Sequence, residues 1–281
     1  VNKVVPLEQA VRRIASGSTL ALGGMTLYRR PVALVKALLG TQTTGLTLLA
    51  LTCGFESDLL VGAGRVDRVR TCYFGLEGFG LAPMFTQQAT AGALEVVEES
   101  EASICFGLRA TLAGVGFMPS RAWIGTDLPG VRADVKTVLD PYSGELYTAF
   151  PALSIDSAAI HALQADHQGN ARLGGSLAVD RELAMVASQV IITAEQVVDE
   201  LTGPADLPGI LTTCVAEVPW GAWPTSCYPA YPVDGEEILN YLHEAGSGRF
   251  DAYLADLLAR RQPASRDERS WLPEVADLGG L

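Results

Sequence analysis

The chain has 281 residues, 48% hydrophobic and 19% charged, with 29 glycines. That is enough apolar material for a large core, which excludes global disorder. A formal net charge of −12, from 20 Lys and Arg against 32 Asp and Glu, repels a phosphate backbone and argues against general nucleic-acid binding. The cysteines (Cys53, Cys72, Cys105, Cys214 and Cys227) are odd in number and include no Cys-x-x-Cys pair. This speaks against a disulfide framework or a zinc ribbon and for a reducing, cytoplasmic compartment. The first residues are too polar for a signal-peptide core, and no apolar run has membrane-spanning length.

In chain order, Pro6 opens a predicted helix that ends near Gly17, with Leu7, Val11 and Ile14 at helical spacing. A short buried strand follows at 19–22 and runs into Gly23-Gly24. Pro31 starts a second helix, 32–39, with Leu34, Val35 and Leu38 as its buried stripe. Strands are predicted at 46–51, 69–74, 94–97, 135–139, 146–150, 158–163, 190–193 and 210–213. Helices are predicted at 83–91, 100–113, 181–187, 233–243 and 250–258. Apolar strands alternating with amphipathic helices indicate an α/β fold, a mostly parallel central sheet with helices on both faces. Residues 217–232 carry Trp220, Trp223, Tyr228, Tyr231 and four prolines, the pattern of a stiffened loop. One domain is expected over 1–260. A polar tail, 261–281, is expected to wrap a neighbour or fray.

Four segments invite chemistry. Gly23-Gly24-Met25 and Arg29-Arg30 lie between a strand and a helix, where α/β sheets collect ligands. Glycines there admit a ligand to the backbone, and an arginine can pair with phosphate or carboxylate. The plain alternative is a tight turn with two solvent-facing arginines. Of the acidic run Glu95, Glu98, Glu99 and Glu101, Glu101 falls at a helix start four residues before Cys105, on one side of it. Such runs are usually a solvated face, but one carboxylate can serve as base or nucleophile. Arg121, beside Trp123 and Gly125, either clamps an anionic oxygen or makes a structural ion pair. His161, Asp166 and His167 lack metal-ligand spacing and read as a strand end entering a polar turn. Cys105 and Cys227 would be reactive only if exposed beside positive charge.

Several stretches in fixed order carry a resemblance: SGSTLALGG at 16–24, RRP at 29–31, GFMPSR at 116–121, GTD at 125–127, ADHQGN at 165–170, ITAE at 192–195 and GAWPTSCY at 221–228. Together they resemble the A (alpha) subunit of the family I coenzyme A transferases, in the glutaconate branch. The resemblance implies a parallel-sheet fold and a partner B subunit of the same fold, in a heterodimer or larger heteromer. It also implies an active site between the two, with coenzyme A as substrate and no permanently bound cofactor or metal. The family's nucleophile is a glutamate in a Ser-Glu-Asn-Gly-like motif of the B half. No such motif occurs here, so this chain would supply the wall facing substrate and CoA. The residues implied for that wall are Gly23, Gly24, Met25, Arg29, Arg30, Gly125, Asn170 and Trp223, with backbone amides at Gly23-Gly24 as oxyanion donors. A related branch, the A subunit of a steroid-ring-cleaving CoA-ester hydrolase, resembles the chain at Glu101 and Arg121, which would then be its catalytic pair. A non-catalytic CoA-ester-binding subunit is the third reading.

Overall fold

The computed structural model describes residues 1–260; the predicted tail lies outside the described residues. Helix α1 (Leu7–Val11) leads into β1 (Thr19–Leu22), α2 (Val32–Leu39), β2 (Leu46–Leu49), the two-residue β3 (Thr52–Cys53) and α3 (Phe55–Gly62). Then come β4 (Val66–Thr71), β5 (Tyr73–Phe74), α4 (Pro83–Thr90), β6 (Glu95–Glu98) and α5 (Glu101–Leu112). An excursion follows: β7 (Phe117–Ser120), α6 (Leu128–Val131), β8 (Lys136–Leu139) and β9 (Leu146–Pro151). The chain returns through β10 (Ser157–Asp166), β11 (Ala171–Arg172), α7 (Asp180–Val186), β12 (Gln189–Val198) and β13 (Cys214–Glu217). It closes with α8 (Gly235–Gly246) and α9 (Phe250–Ala259).

The main sheet has the order β13-β12-β10-β1-β2-β4-β6, every neighbour pair parallel, with β11 antiparallel beside β10. A parallel sheet needs cover on both faces, and β1 accordingly buries Leu20, Ala21 and Leu22. Leu34, Val35 and Leu38 of α2 are buried as their spacing predicts. The largest apolar cluster joins α1, α2, α3, α8 and α9 to one face. Leu49, Ile104, Leu108, Ala158 and Leu183 pack together on the other. Strand order reverses at β1: the chain moves outward through β2, β4 and β6, then crosses back to place β10 on the far side of β1. Such a switch point opens a crevice beyond the strands' carboxyl ends.

One predicted strand is corrected, and one observed strand is not predicted. Residues 210–213 do not form a strand; Pro208 opens a 3-10 turn at Gly209–Leu211, Ile210 is exposed, and the ladder to β12 starts at Ile191↔Cys214. The excursion after α5 forms a separate antiparallel sheet, β7-β9-β8, and β7 has no counterpart among the predicted strands. Among the described residues no helix is long and apolar enough to cross a membrane.

Candidate active site

The carboxyl-end loops form a continuous rim. After β1, the Gly23 amide donates to Ala159 O (2.9 Å) and the Gly24 amide to Asp180 Oδ1 (2.9 Å). A Cβ on Gly23 would stand 2.8 Å from Asp180 Oδ1. Gly24 has φ +79°, and a Cβ there would meet Arg29 O at 2.5 Å. Gly24 is therefore required by the turn itself, and Gly23 by the close approach of the Asp180 and Ile160 side chains. Met25 and Tyr28 close a tight hairpin through paired backbone bonds of 2.9 and 2.7 Å. Thr26 N donates to Thr52 Oγ1 (2.8 Å), β3 pairs with β5, and Cys72 Sγ donates to Leu51 O (2.8 Å). Arg70 reaches Glu99 (2.6 Å) beyond β6. The rim thus runs from the switch point to the sheet edge. By strand spacing, its ends at Gly23 and Glu98 lie about 14 Å apart.

Arg29 and Arg30 overturn the solvent-facing alternative. Both side chains are fully buried. The Arg29 guanidinium donates to Asp180 Oδ2 (2.5 Å), His161 O (2.8 Å) and Ser176 O (3.0 Å). Arg30 donates from Nε and Nη2 to Glu56 Oε1 (2.9 and 2.6 Å), which also accepts from Ser57 Oγ (2.6 Å). Burial disfavours the Arg30 charge, but Glu56 more than offsets it and raises the pKa. The expected oxyanion donors at Gly23 and Gly24 are likewise engaged inside the chain. What this loop presents outward is Met25, 37% exposed.

At the other end of the rim, the acidic run divides. Glu95, Glu98 and Glu101 are exposed, whereas Glu99 is buried between Arg70 and Arg132. Glu101 is the first residue of α5, behind a reciprocal Ser100–Ser103 capping box. A carboxylate in that first turn is favoured by the helix dipole. Cys72 and Cys105 stand beside it. Burial pushes the Cys72 thiol up to about 11, with Glu101 adding to the rise, and burial raises Cys105 as well. Both are thus held as thiols, and Cys227 is buried. Arg121 follows β7, with its side chain 71% exposed, and makes a 2.9 Å pair to Glu145, itself 46% exposed. Gly125 is open and has φ +79°. The loop bearing both is tied to the Glu101 helix by Trp123 Nε1, which donates to Ser100 Oγ (2.8 Å).

Asn170 belongs to a turn instead. Asp166 accepts from Gln168 N, Asn170 N and Asn170 Nδ2, and Asn170 Oδ1 accepts from Gly209 N (2.7 Å). Burial raises the Asp166 carboxyl, but these bonds hold it below the usual range. Trp223 is half-buried, bonds Asp234 Oδ2 (2.9 Å), and lines a cavity of about 310 Å³ with Trp220 and residues 232–236. Trp220 itself is 2% exposed and stacks on Tyr231 at 4.4 Å, so the loop turns one of its tryptophans inward.

Sequence reasoning passes over Asp180, Glu56, Glu195 and Arg132. His161, Glu195 and Cys227 bring metal-type ligand atoms within 4.8 Å of one another. Glu195, however, already accepts from Trp220 N (2.7 Å), Gly221 N (3.1 Å), Tyr231 Oη (2.5 Å) and His161 Nε2 (2.8 Å). Three of these bonds fall on Oε1 and one on Oε2, so the cluster reads as a hydrogen-bonded buried network. No local signal announces these partners; Glu195 lies 34 residues from His161 and Asp180 151 from Arg29.

An open parallel α/β sheet with a rim of loops at its switch point is a ligand-binding class. Comparison with known proteins narrows it. Residues 4–217 match the family Coenzyme A transferase, and the chain belongs to that family. It is an enzyme subunit of the A type. The A-type subunit of the 3-oxoadipate CoA-transferase of Pseudomonas knackmussii is 33% identical, over 83% of this chain and 84% of its own length. The cholesterol ring-cleaving hydrolase IpdA subunit of Rhodococcus jostii is 32% identical, over 87% of each chain. A protein of Archaeoglobus fulgidus is 33% identical over 90% of this chain, which spans 59% of that relative's length. Glutaconate coenzyme A-transferase from Acidaminococcus fermentans superposes with a TM-score of 0.85 at 29% identity, covering 95% of this chain and 91% of that one. A chain of the decarboxylase AibA/AibB gives a TM-score of 0.85 at 32% identity, covering 92% of this chain and 100% of its own. The parallel-sheet expectation and the family resemblance both hold.

Proposed function

We propose that the chain is the A subunit of a heteromeric CoA transferase that moves CoA between an acyl-CoA and a carboxylic acid. A B-type partner brings the nucleophilic glutamate. The observation that carries this reading is the state of the chain's own carboxylates near the rim. Glu56, Glu99 and Asp180 are buried and neutralised in ion pairs, while Glu101 is exposed. None of these four is both shielded from water and unpaired, as a carboxylate nucleophile needs to be. In the reaction, the partner's glutamate attacks the acyl carbonyl and CoA thiolate leaves, giving an acyl-glutamyl anhydride. The thiolate then attacks the glutamyl carbonyl, the first acid departs, and the acceptor acid reverses the sequence. Arg121, exposed and at the rim, holds an acid's second carboxylate.

The placement of Glu101 favours a second reading, ring-cleaving hydrolysis of a cyclic CoA thioester. There Glu101 is the base toward water or a substrate C–H, as the likeness to the hydrolase subunit suggests.

The test is mass spectrometry of the purified heteromer with acetyl-, succinyl- and glutaryl-CoA, each with and without acetate or 3-oxoadipate. Exchange that requires the acceptor, with a mass shift on a partner glutamate, supports the transferase. A water-derived product without acceptor, abolished by Glu101→Gln, supports the hydrolase. Wild-type exchange by this chain without any partner overturns the division of labour.

A further inference from the structure

Arg132 has no place in the reading above, yet it is among the most fully used side chains of the fold. Its side chain is 4% exposed although most residues of the segment 121–134, which includes α6, are exposed. Its Nη1 donates to Glu98 O (2.7 Å) and lies 2.9 Å from Glu99 Oε2. Its Nε and Nη2 grip Asp134 in a two-point pair of 2.7 and 2.8 Å. Its guanidinium sits over the Trp123 ring at 5.9 Å. Glu99 in turn accepts from Arg70 and from Ser103 Oγ (2.5 Å), and Ser103 belongs to the capping box that starts α5 at Glu101.

Trp123 makes the second cross-link. Its indole N–H bonds Ser100, the other member of that capping box, and its ring packs edge-on against Phe150 at 5.1 Å. Its φ is +73°, a left-handed backbone setting that non-glycine residues rarely adopt. Such a setting persists only where surrounding contacts over-determine it, and it gathers at functional sites. Two side chains, packed on one another, therefore fasten this segment to residues 98–100 at the start of α5. The loop carries Arg121 and the turn carries Glu101.

We propose that Arg132, with Trp123, is a positioning residue: it fixes the Arg121 loop against the first turn of α5, so that Arg121 and Glu101 face the same acyl-CoA. The inference rests on the reading that this end of the rim contacts substrate.

The experiment uses the heteromer and the variants Trp123→Phe, which keeps the ring packing but removes the N–H, and Arg132→Lys, which keeps the charge but removes the two-point grip. Hydrogen exchange of the peptide spanning residues 99–104 is expected to quicken about tenfold in both, with the peptide of residues 105–112 unchanged. Turnover of whichever of acetyl-, succinyl- or glutaryl-CoA the wild type uses fastest is expected to fall about tenfold in kcat, with KM within twofold. The kcat loss should vanish when Trp123→Phe is made in an Arg121→Ala, Glu101→Gln background. Unchanged exchange, or quickened exchange with wild-type kcat, overturns the positioning role while the site reading stands. Wild-type turnover by both Arg121→Ala and Glu101→Gln overturns the site reading and this inference with it. Should Arg132→Lys fail to fold, Trp123→Phe alone decides.

Discussion

Two arginine-bearing segments stand at opposite ends of one rim, and the protein uses them in opposite ways. Arg29 and Arg30 are sealed inside the chain against Asp180 and Glu56. Arg121 is exposed, with one solvent-facing partner in Glu145. Both follow strand ends in the sequence, and both fit an anion. The difference is burial. A sealed guanidinium has already committed its charge to an internal carboxylate, whereas an exposed one can exchange its partner for a ligand. The switch-point loop is thus a closed frame, and the sheet-edge loop is the one whose arginine stays open to exchange its partner.

The comparison is broken most directly at Arg30. Arg30→Ala leaves Glu56 buried and uncompensated, and stability should fall by about 3–5 kcal/mol. Adding Glu56→Leu should recover much of that loss by removing the stranded charge. Denaturant midpoints of the single and double variants check it. A single variant with wild-type stability would show that the frame does not depend on the pair.

A second buried carboxylate gives the frame a pH signature. Asp58 accepts from Tyr241 Oη (2.5 Å) and from the amides of Met84 and Phe85, capping α4. Burial pushes its carboxyl up to about 6, although Tyr241 and the two amides pull the other way. The unfolded chain holds that proton only below about 4. Between those values the folded state binds more protons, so stability falls as pH rises from about 4 to 6 and is flat above. The change should be about 2–3 kcal/mol. Asp58→Asn should lack the slope, and unfolding free energies at half-unit pH steps measure it.

Glycine offers a matched pair of smaller effects. Gly24 and Gly125 both have φ +79°, but only Gly24 has a neighbour, Arg29 O, where a Cβ would go. Gly125→Ala should cost about 1 kcal/mol from the backbone setting alone. Gly24→Ala adds a backbone collision and should cost about 2 kcal/mol or more. Thermal midpoints of the two variants rank them, and equal losses would mean that the hairpin at Gly24 yields.

How much of this is legible in the sequence follows from the range of the signals. Helix α2 is local: Pro31 starts it, and its buried stripe repeats at helical spacing. The parallel class is legible because buried strands are continuously apolar. Strand β7 is not: it holds Pro119 and its residues are exposed or half-buried, so neither apolar run nor alternation marks it. Helix α3 is similarly hidden, because Glu56, Ser57 and Asp58 are buried where an amphipathic pattern would turn polar residues outward. At the site, Glu101 is legible as a helix start because capping chemistry is local. The fate of Arg29 and Arg30 is not, since their partners lie 151 and 26 residues away and carry no sequence mark. The same holds for Glu99, which looks like its exposed neighbours until Arg70 and Arg132 close on it.

The smallest structural effect bears most on function. Arg121→Ala removes an exposed pair that salt and water already weaken, so stability should change by less than about 1 kcal/mol. If the sheet-edge loop holds the acid's second carboxylate, the same substitution in the heteromer should lower kcat/KM at least about tenfold. The loss should be larger for a dicarboxylic acceptor than for acetate, because acetate has no second carboxylate to lose. That contrast separates a ligand contact from a general disturbance, which would slow both acceptors alike. Equal turnover on both acceptors at wild-type rates would remove Arg121 from the site. Arg29 and Arg30 could not then take its place, because they can leave their carboxylates only by dismantling the loop that frames the crevice.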